Sequence, residues 1–226
     1  MAEFDQHTGD YKHKLASSLG IVDVARIDQF ARHKIEKIAH AQNWNAPGHF
    51  LDFGCGVGLT LPHLAALLPG LTPVMADQSL NSLNQLNHLS QFNFEPLHIG
   101  QTIPLEDHCM DGALASCVFH HIQPQARAHW LTELRRVLRP GCSLFIAEHN
   151  PYNPLTRLIV SRSPLDTNAH LVSARALCRL CTQVGFKKVA VNYMVYAPPA
   201  WWINQPLEKI LRRLPLGAQY MVQVSA

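Results

Sequence analysis

The chain has 226 residues and a formal net charge of +3, and 47% of it is hydrophobic. That length and apolar share suit one domain with a core of its own. The small charge, with no basic run longer than the KK and RR pairs, argues against a phosphate-tracking stripe, so no nucleic-acid partner is expected.

The opening MAEFDQHTGDYKHK is polar and carries no cleavable signal pattern. No apolar run reaches the roughly 18 residues that a membrane-crossing helix needs. Cysteines at 55, 109, 117, 142, 178 and 181 are scattered, which fits reduced thiols and a cytoplasmic location better than a disulfide framework. Cys178 and Cys181 form a CxxC with no second pair, and read as two small apolar residues on one helix face. The 14 histidines fall at no zinc-ligand spacing, so no metal is expected.

The predicted elements begin with a helix from Asp23, whose face carries Val24, Ile27, Ala31, Ile35 and Ile38. NAPGH ends it. HFLDFG then reads as a strand and LTLPHLAALL as a helix, with Pro62 tolerated in its first turn. A second strand ends on Asp77, and Ser79 caps a helix with Leu80, Leu83 and Leu86 on one face. FEPLHIG gives a third strand and DGALASCVF a fourth, apolar enough to be buried on both faces. A helix follows with Ala126, Trp130, Leu134 and Val137 inward, and SLFIAEH is a fifth strand. Pro151 and Pro154 oppose immediate helix formation after it. Ser173 opens another helix, which stops at Gly185. KKVAVNYMVYA and AQYMVQVSA close the chain as two strands in succession, a hairpin-like pair on one edge, joined by a loop and helix. This alternation implies a doubly wound α/β fold with a mostly parallel sheet. The expected organisation is a helical cap over residues 1–45 and a ligand-binding domain over 46–226.

In such a sheet, ligands sit beyond the strand C-termini, and glycines let the backbone approach them. The first turn here, LDFGCGVGLT, is Gly54-x-Gly56-x-Gly58 rather than G-x-G-x-x-G, and Asp52 stands two residues before it. A carboxylate there would repel a pyrophosphate but suits a cationic ligand without phosphate. Asp77, 19 residues after Gly58, is placed to accept the ribose hydroxyls of a nucleoside. Gly54, Cys55, Gly56, Gly58, Asp52, Asp77 and the adjoining Gln78 are therefore candidate cofactor contacts.

With LDFGCGVGLT, the acid in ADQS, DGALASCVFHHI and ELRRVLRPGCSLFIAEHN, the chain resembles the class I, Rossmann-like methyltransferases that use S-adenosylmethionine. The last two stretches are similar to the type 11 group that includes ubiquinone, menaquinone and sterol methyltransferases. The resemblance implies a seven-stranded sheet of order 3-2-1-4-5-7-6 and S-adenosylmethionine as cofactor, with S-adenosylhomocysteine as product. It also implies a contact from Tyr11, in FDQHTGDY, to the methionine end of the cofactor. Relatives often carry an acid after strand three, for the adenine amino group. Here GQTIPLEDH puts Gln101 in its place, beside a Thr102 backbone that can donate to a ring nitrogen.

Cys117 is expected near the methionine moiety. His120, His121 and His149 emerge at the mouth of the site as candidate general bases or as packing residues. Tyr152 and Arg157 beyond strand five, and Trp201 and Trp202 in PPAWWIN, are candidate walls of an acceptor pocket. One tryptophan with the basic, amphipathic LEKILRR is an alternative membrane-surface contact. No (D/N)PPY motif follows strand four, so the acceptor is expected to be a small molecule or lipid. The alternatives are a nicotinamide-dependent oxidoreductase and a non-catalytic cofactor-binding protein. The sequence leaves the oligomeric state open.

Overall fold

In a computed structural model, residues 24–44, 46–197 and 203–226 are described. Strands β1 (Gly48–Phe53), β2 (Leu71–Asp77) and β4 (Met110–Ser116) are apolar on successive residues because both of their faces are covered. Leu51, Phe53, Ala113 and Ala115 pack on one face with Trp130, Leu131 and Leu134 of helix α4 (Arg127–Val137) and Leu177 of helix α6 (Ala174–Gln183). Phe50 and Leu114 pack on the other with Ile35 and Ile38 of helix α1 (Val24–Ala41) and Leu64 of helix α2 (Leu61–Leu67).

Strand β3 (Glu95–His98) lies beyond β2, and β5 (Leu138–His149) beyond β4. The last strands, β6 (Lys187–Met194) and β7 (Gln219–Ser225), give the order β3-β2-β1-β4-β5-β7-β6. The first five strands run parallel, and β7 inserts antiparallel between β5 and β6. This is the expected sheet, with the expected antiparallel pair at its edge. The strand C-termini of β1, β2, β4 and β5 thus open on one rim, carrying Asp52, Asp77, Ser116 and His149.

Helix α3 (Leu80–Gln85) has the expected cap, Ser79 accepting from the Ser82 N–H at 3.1 Å. Its face differs: Leu86 is buried in a following 3-10 turn, whereas Leu80 is 57% exposed. The segment after β5 also departs from expectation. Helix α5 (Pro154–Arg162) starts on the second proline, and the Asn153 side chain caps it by accepting from Thr156 N at 3.0 Å. Proline at the first helical position loses no intrahelical bond, so the ring promotes this start rather than blocking it. Helix α7 (Asn204–Leu211) lies between β6 and β7. The cysteines are all free thiols, Cys178 and Cys181 lying on α6. Among the described residues no helix is long and apolar enough to cross a membrane.

Candidate active site

A cavity of about 480 Å³ opens at the rim of the sheet, within the range of small-ligand sites. The glycine turn forms its floor. Gly54 and Gly58 have φ of +73° and +77°, and a Cβ on either would collide with Val118 or Leu86. Gly56 (φ +54°) differs: a Cβ there meets nothing within 4 Å, so its bare backbone faces the cavity.

Asp77 holds this turn. Its two carboxylate oxygens accept from the N–H groups of Gly56 and Ser79, each at 2.8 Å. Asp52 is 1% exposed at the end of β1 and accepts from the Thr60 hydroxyl. Burial pushes its carboxyl up to about 6, and the neighbouring Asp77 adds to the rise, while Thr60 and Lys34 oppose it. A buried carboxylate held under such tension is stabilised by a cation and destabilised by a phosphate.

On the far wall β4 stops at Ser116. Cys117 adopts φ +58°, a left-handed conformation rare outside glycine, and its N–H donates to Ala147 O at 2.8 Å. Lys34 reaches in from α1 and donates to Ser116 Oγ at 2.8 Å and Cys117 Sγ at 3.4 Å.

Residues 51–144 match the family described as "Methyltransferase domain". An O-methyltransferase of Pyrenophora dematioidea is 30% identical over 151 residues, 63% of this chain and 55% of that protein. The chain spans 29% to 55% of the length of the curated relatives it matches. A methyltransferase of Thermotoga maritima, titled a possible histamine N-methyltransferase, superposes with a TM-score of 0.69 at 15% identity, covering 98% of this chain and 97% of that one. A phosphoethanolamine N-methyltransferase of Haemonchus contortus, solved with S-adenosyl-L-methionine, gives 0.61 at 15% identity over 93% of this chain and 59% of that one.

The chain has the fold of the class I methyltransferases, and residues 51–144 match a methyltransferase domain.

Three histidines form one network on the β4–β5 side of the cavity. Glu148, fully buried, accepts from the backbone N–H of Val118 (2.9 Å) and Phe119 (2.6 Å). Its other oxygen lies 2.5 Å from His120 Nδ1, and His120 Nε2 lies 3.2 Å from Asp166. Burial alone would lower the His120 pKa, but the two carboxylates override it and raise it to about 10. Both ring nitrogens of His120 thus face carboxylates, which favours its charged form and disfavours it as a proton acceptor.

His149 is the opposite case. Burial, then the charge on His120, push it down to about 4 against the pull of Asp166 and Glu148. It lines the cavity as a neutral imidazole, its ring 5.0 Å from that of His120. His121 lies 3.5 Å from Asp166. Donor atoms of His120, His121 and Asp166 fall within 4.8 Å of one another, a grouping that the sequence spacing does not announce.

The cavity thus collects Asp52, Gly54, Cys55, Gly56, Asp77, Gln78, Cys117, His120, His121 and His149. Gly58 packs behind the turn. Gln101 and Thr102 are exposed and do not line it; Ile99, Gln123 and Trp130 do, and the Gln101 carbonyl lies 2.7 Å from His129 Nε2. Tyr152 is 62% exposed and Arg157 is exposed on α5, so both lie outside the cavity too. Tyr11, Trp201 and Trp202 fall outside the described residues. Sequence reasoning missed Lys34, Thr60 and Asp166. Only Lys34 carried a signal: it interrupts the apolar stripe of Ala31, Ile35 and Ile38.

Proposed function

We propose that this chain transfers a methyl group from S-adenosylmethionine to a small-molecule or lipid-like acceptor. The observation that carries this reading is the pair of acids at the ends of β1 and β2, set in one cavity around the open Gly56. Asp52 suits the ammonium of the cofactor and Asp77 its ribose hydroxyls, and neither suits a pyrophosphate. When bound, S-adenosylmethionine supplies a methyl already activated on a sulfonium. The residues then need to position the acceptor, exclude water and hold its proton where it has one. His149 is the neutral imidazole on the wall and takes the proton-accepting role toward a hydroxyl acceptor. His120 instead fixes the wall in which His149 sits. Residues 1–45 act as a cap, with Lys34 as its reach into the cavity.

Calorimetry with S-adenosylhomocysteine and with NADH tests the reading. Binding of the first and not the second is expected. NADH binding without the homocysteine ligand would instead favour an oxidoreductase. Labelled methyl transfer into a cell extract separates an enzyme from a non-catalytic binder.

A further inference from the structure

Ten large apolar side chains are exposed among the described residues, and six of them fall in two short segments. Tyr152 (62%), Leu155 (56%) and Leu158 (44%) come from the start of α5 and the turn before it, and Ile210 (77%), Leu214 (47%) and Leu216 (60%) from the end of α7 and the turn after it. The segments adjoin: Asn153 Nδ2 donates to Leu216 O at 2.7 Å, and Asn150 Nδ2 to Pro215 O at 2.9 Å. On α5, Thr156 and Val160 turn inward, which leaves Leu158 and Arg162 on the opposite face.

The charge within these two segments has one sign, and the nearby Asp166, which shares a surface pocket with Arg157 and Arg162, is turned to His120 and His121. Residues 150–163 and 209–218 contain Arg157, Arg162, Lys209, Arg212 and Arg213 and no acid. All five cations are exposed, and none pairs with an acid among the described residues. A protein interface core would be depleted of charge at such positions, whereas leucines interleaved with cations match the boundary between lipid headgroups and acyl chains.

We propose that this surface docks the protein on an anionic membrane, with the leucines at the headgroup boundary and the arginines on lipid phosphates. The patch lies near the cavity along the chain: His149 lines the cavity and Tyr152, three residues later, stands on the patch. Docking here would present the acceptor side of the cavity to a lipid. It rests on the proposed function only for that purpose, and the two fail separately.

The test is co-sedimentation of the full chain with phosphatidylcholine vesicles, pure and with roughly a quarter phosphatidylglycerol. Binding to the anionic vesicles, little to the neutral ones, and weakening by salt are expected. Arg157→Glu with Arg162→Glu should lower the partition by roughly tenfold or more, and Leu155→Ser with Leu158→Ser should lower it on both vesicle types. Both variants should bind S-adenosylhomocysteine like the parent, which separates docking from the cofactor reading. Equal binding to both vesicles, no binding, or a dimer in gel filtration that the leucine variant dissolves would overturn the proposal. The last outcome would assign the face to a second copy of the chain.

Discussion

Glu148 Oε2 lies 2.5 Å from Nδ1 of His120, and neither side chain is more than 1% exposed. The pair bridges the ends of β5 and β4, since the other Glu148 oxygen holds the backbone of Val118 and Phe119. Breaking one half of a buried pair strands the other. Glu148→Ala should cost about 3–5 kcal/mol. In a domain of this size that lowers the melting temperature by roughly 10 °C, read by calorimetry. A loss under about 1 kcal/mol would show that His120 is not charged there.

The same pair sets a pH dependence. The His120 pKa rises from 6.5 to about 10 on folding, so its stabilisation is complete below about pH 6.5 and is lost as the pH rises through about 10. Between these limits the folded state holds the extra proton, and stability should fall by as much as about 1.4 kcal/mol per pH unit. Urea titrations from pH 7 to 9.5 should show that slope in the parent. His120→Gln should flatten it. A stability that rises with pH across this window would contradict the assignment.

Asp77→Ala should weaken S-adenosylhomocysteine binding by tenfold to a hundredfold, the roughly 1.5–3 kcal/mol of a lost charge-assisted bond. Asp77 also fastens Gly56 and Ser79, so part of that loss would come from a loosened turn. Asp77→Asn separates the two effects. Its side chain keeps one acceptor for the turn but loses the charge. Unchanged affinity in both variants would place the ribose elsewhere.

These acids were legible because each sits at the end of an apolar strand, beside a glycine turn, where local pattern fixes position. The histidine network was not. Asp166 meets His120 across 46 residues, after a helix whose start at Pro154 the sequence reading did not expect. Position at the helix start, which makes Pro154 favourable, depends on the Asn153 cap and not on the proline itself. The charge states of His120 and His149 were illegible for a further reason. Identical side chains acquire pKa values of about 10 and about 4 from neighbours brought together only by the fold.

Glu208 of α7 tests how firmly helix α1 is fastened. It is 2% exposed and meets His33 at 2.8 Å and Lys37 at 2.5 Å, both on α1, while accepting from Val195 N at 2.7 Å. Burial works against its charge, but these partners prevail and hold the carboxyl down to about 2. Its stabilisation is therefore present above about pH 4.5 and is lost as the pH falls toward 2. Glu208→Ala should destabilise the protein by about 3 kcal/mol or more and raise amide exchange in α1 ahead of the central strands. Uniform exchange would show that α1 is held by its apolar face alone.

Asp52 links stability to ligand binding with opposite signs. Its folded pKa of about 6 stands above the ordinary 3.8, so the folded state holds the extra proton and stability declines as the pH rises between these values. Asp52→Asn should therefore raise the stability of the ligand-free protein at pH 7, on the order of 1–3 kcal/mol. The same substitution should weaken S-adenosylhomocysteine binding, because the proposed function makes Asp52 the partner of the ammonium. In the parent, affinity should drop about tenfold from pH 7.5 to pH 5 as the carboxyl protonates, and binding near pH 6 should release a proton. Calorimetry in two buffers of different ionisation enthalpy measures that proton. A flat affinity profile in the parent, or a variant that binds as tightly, would remove Asp52 from the ammonium site.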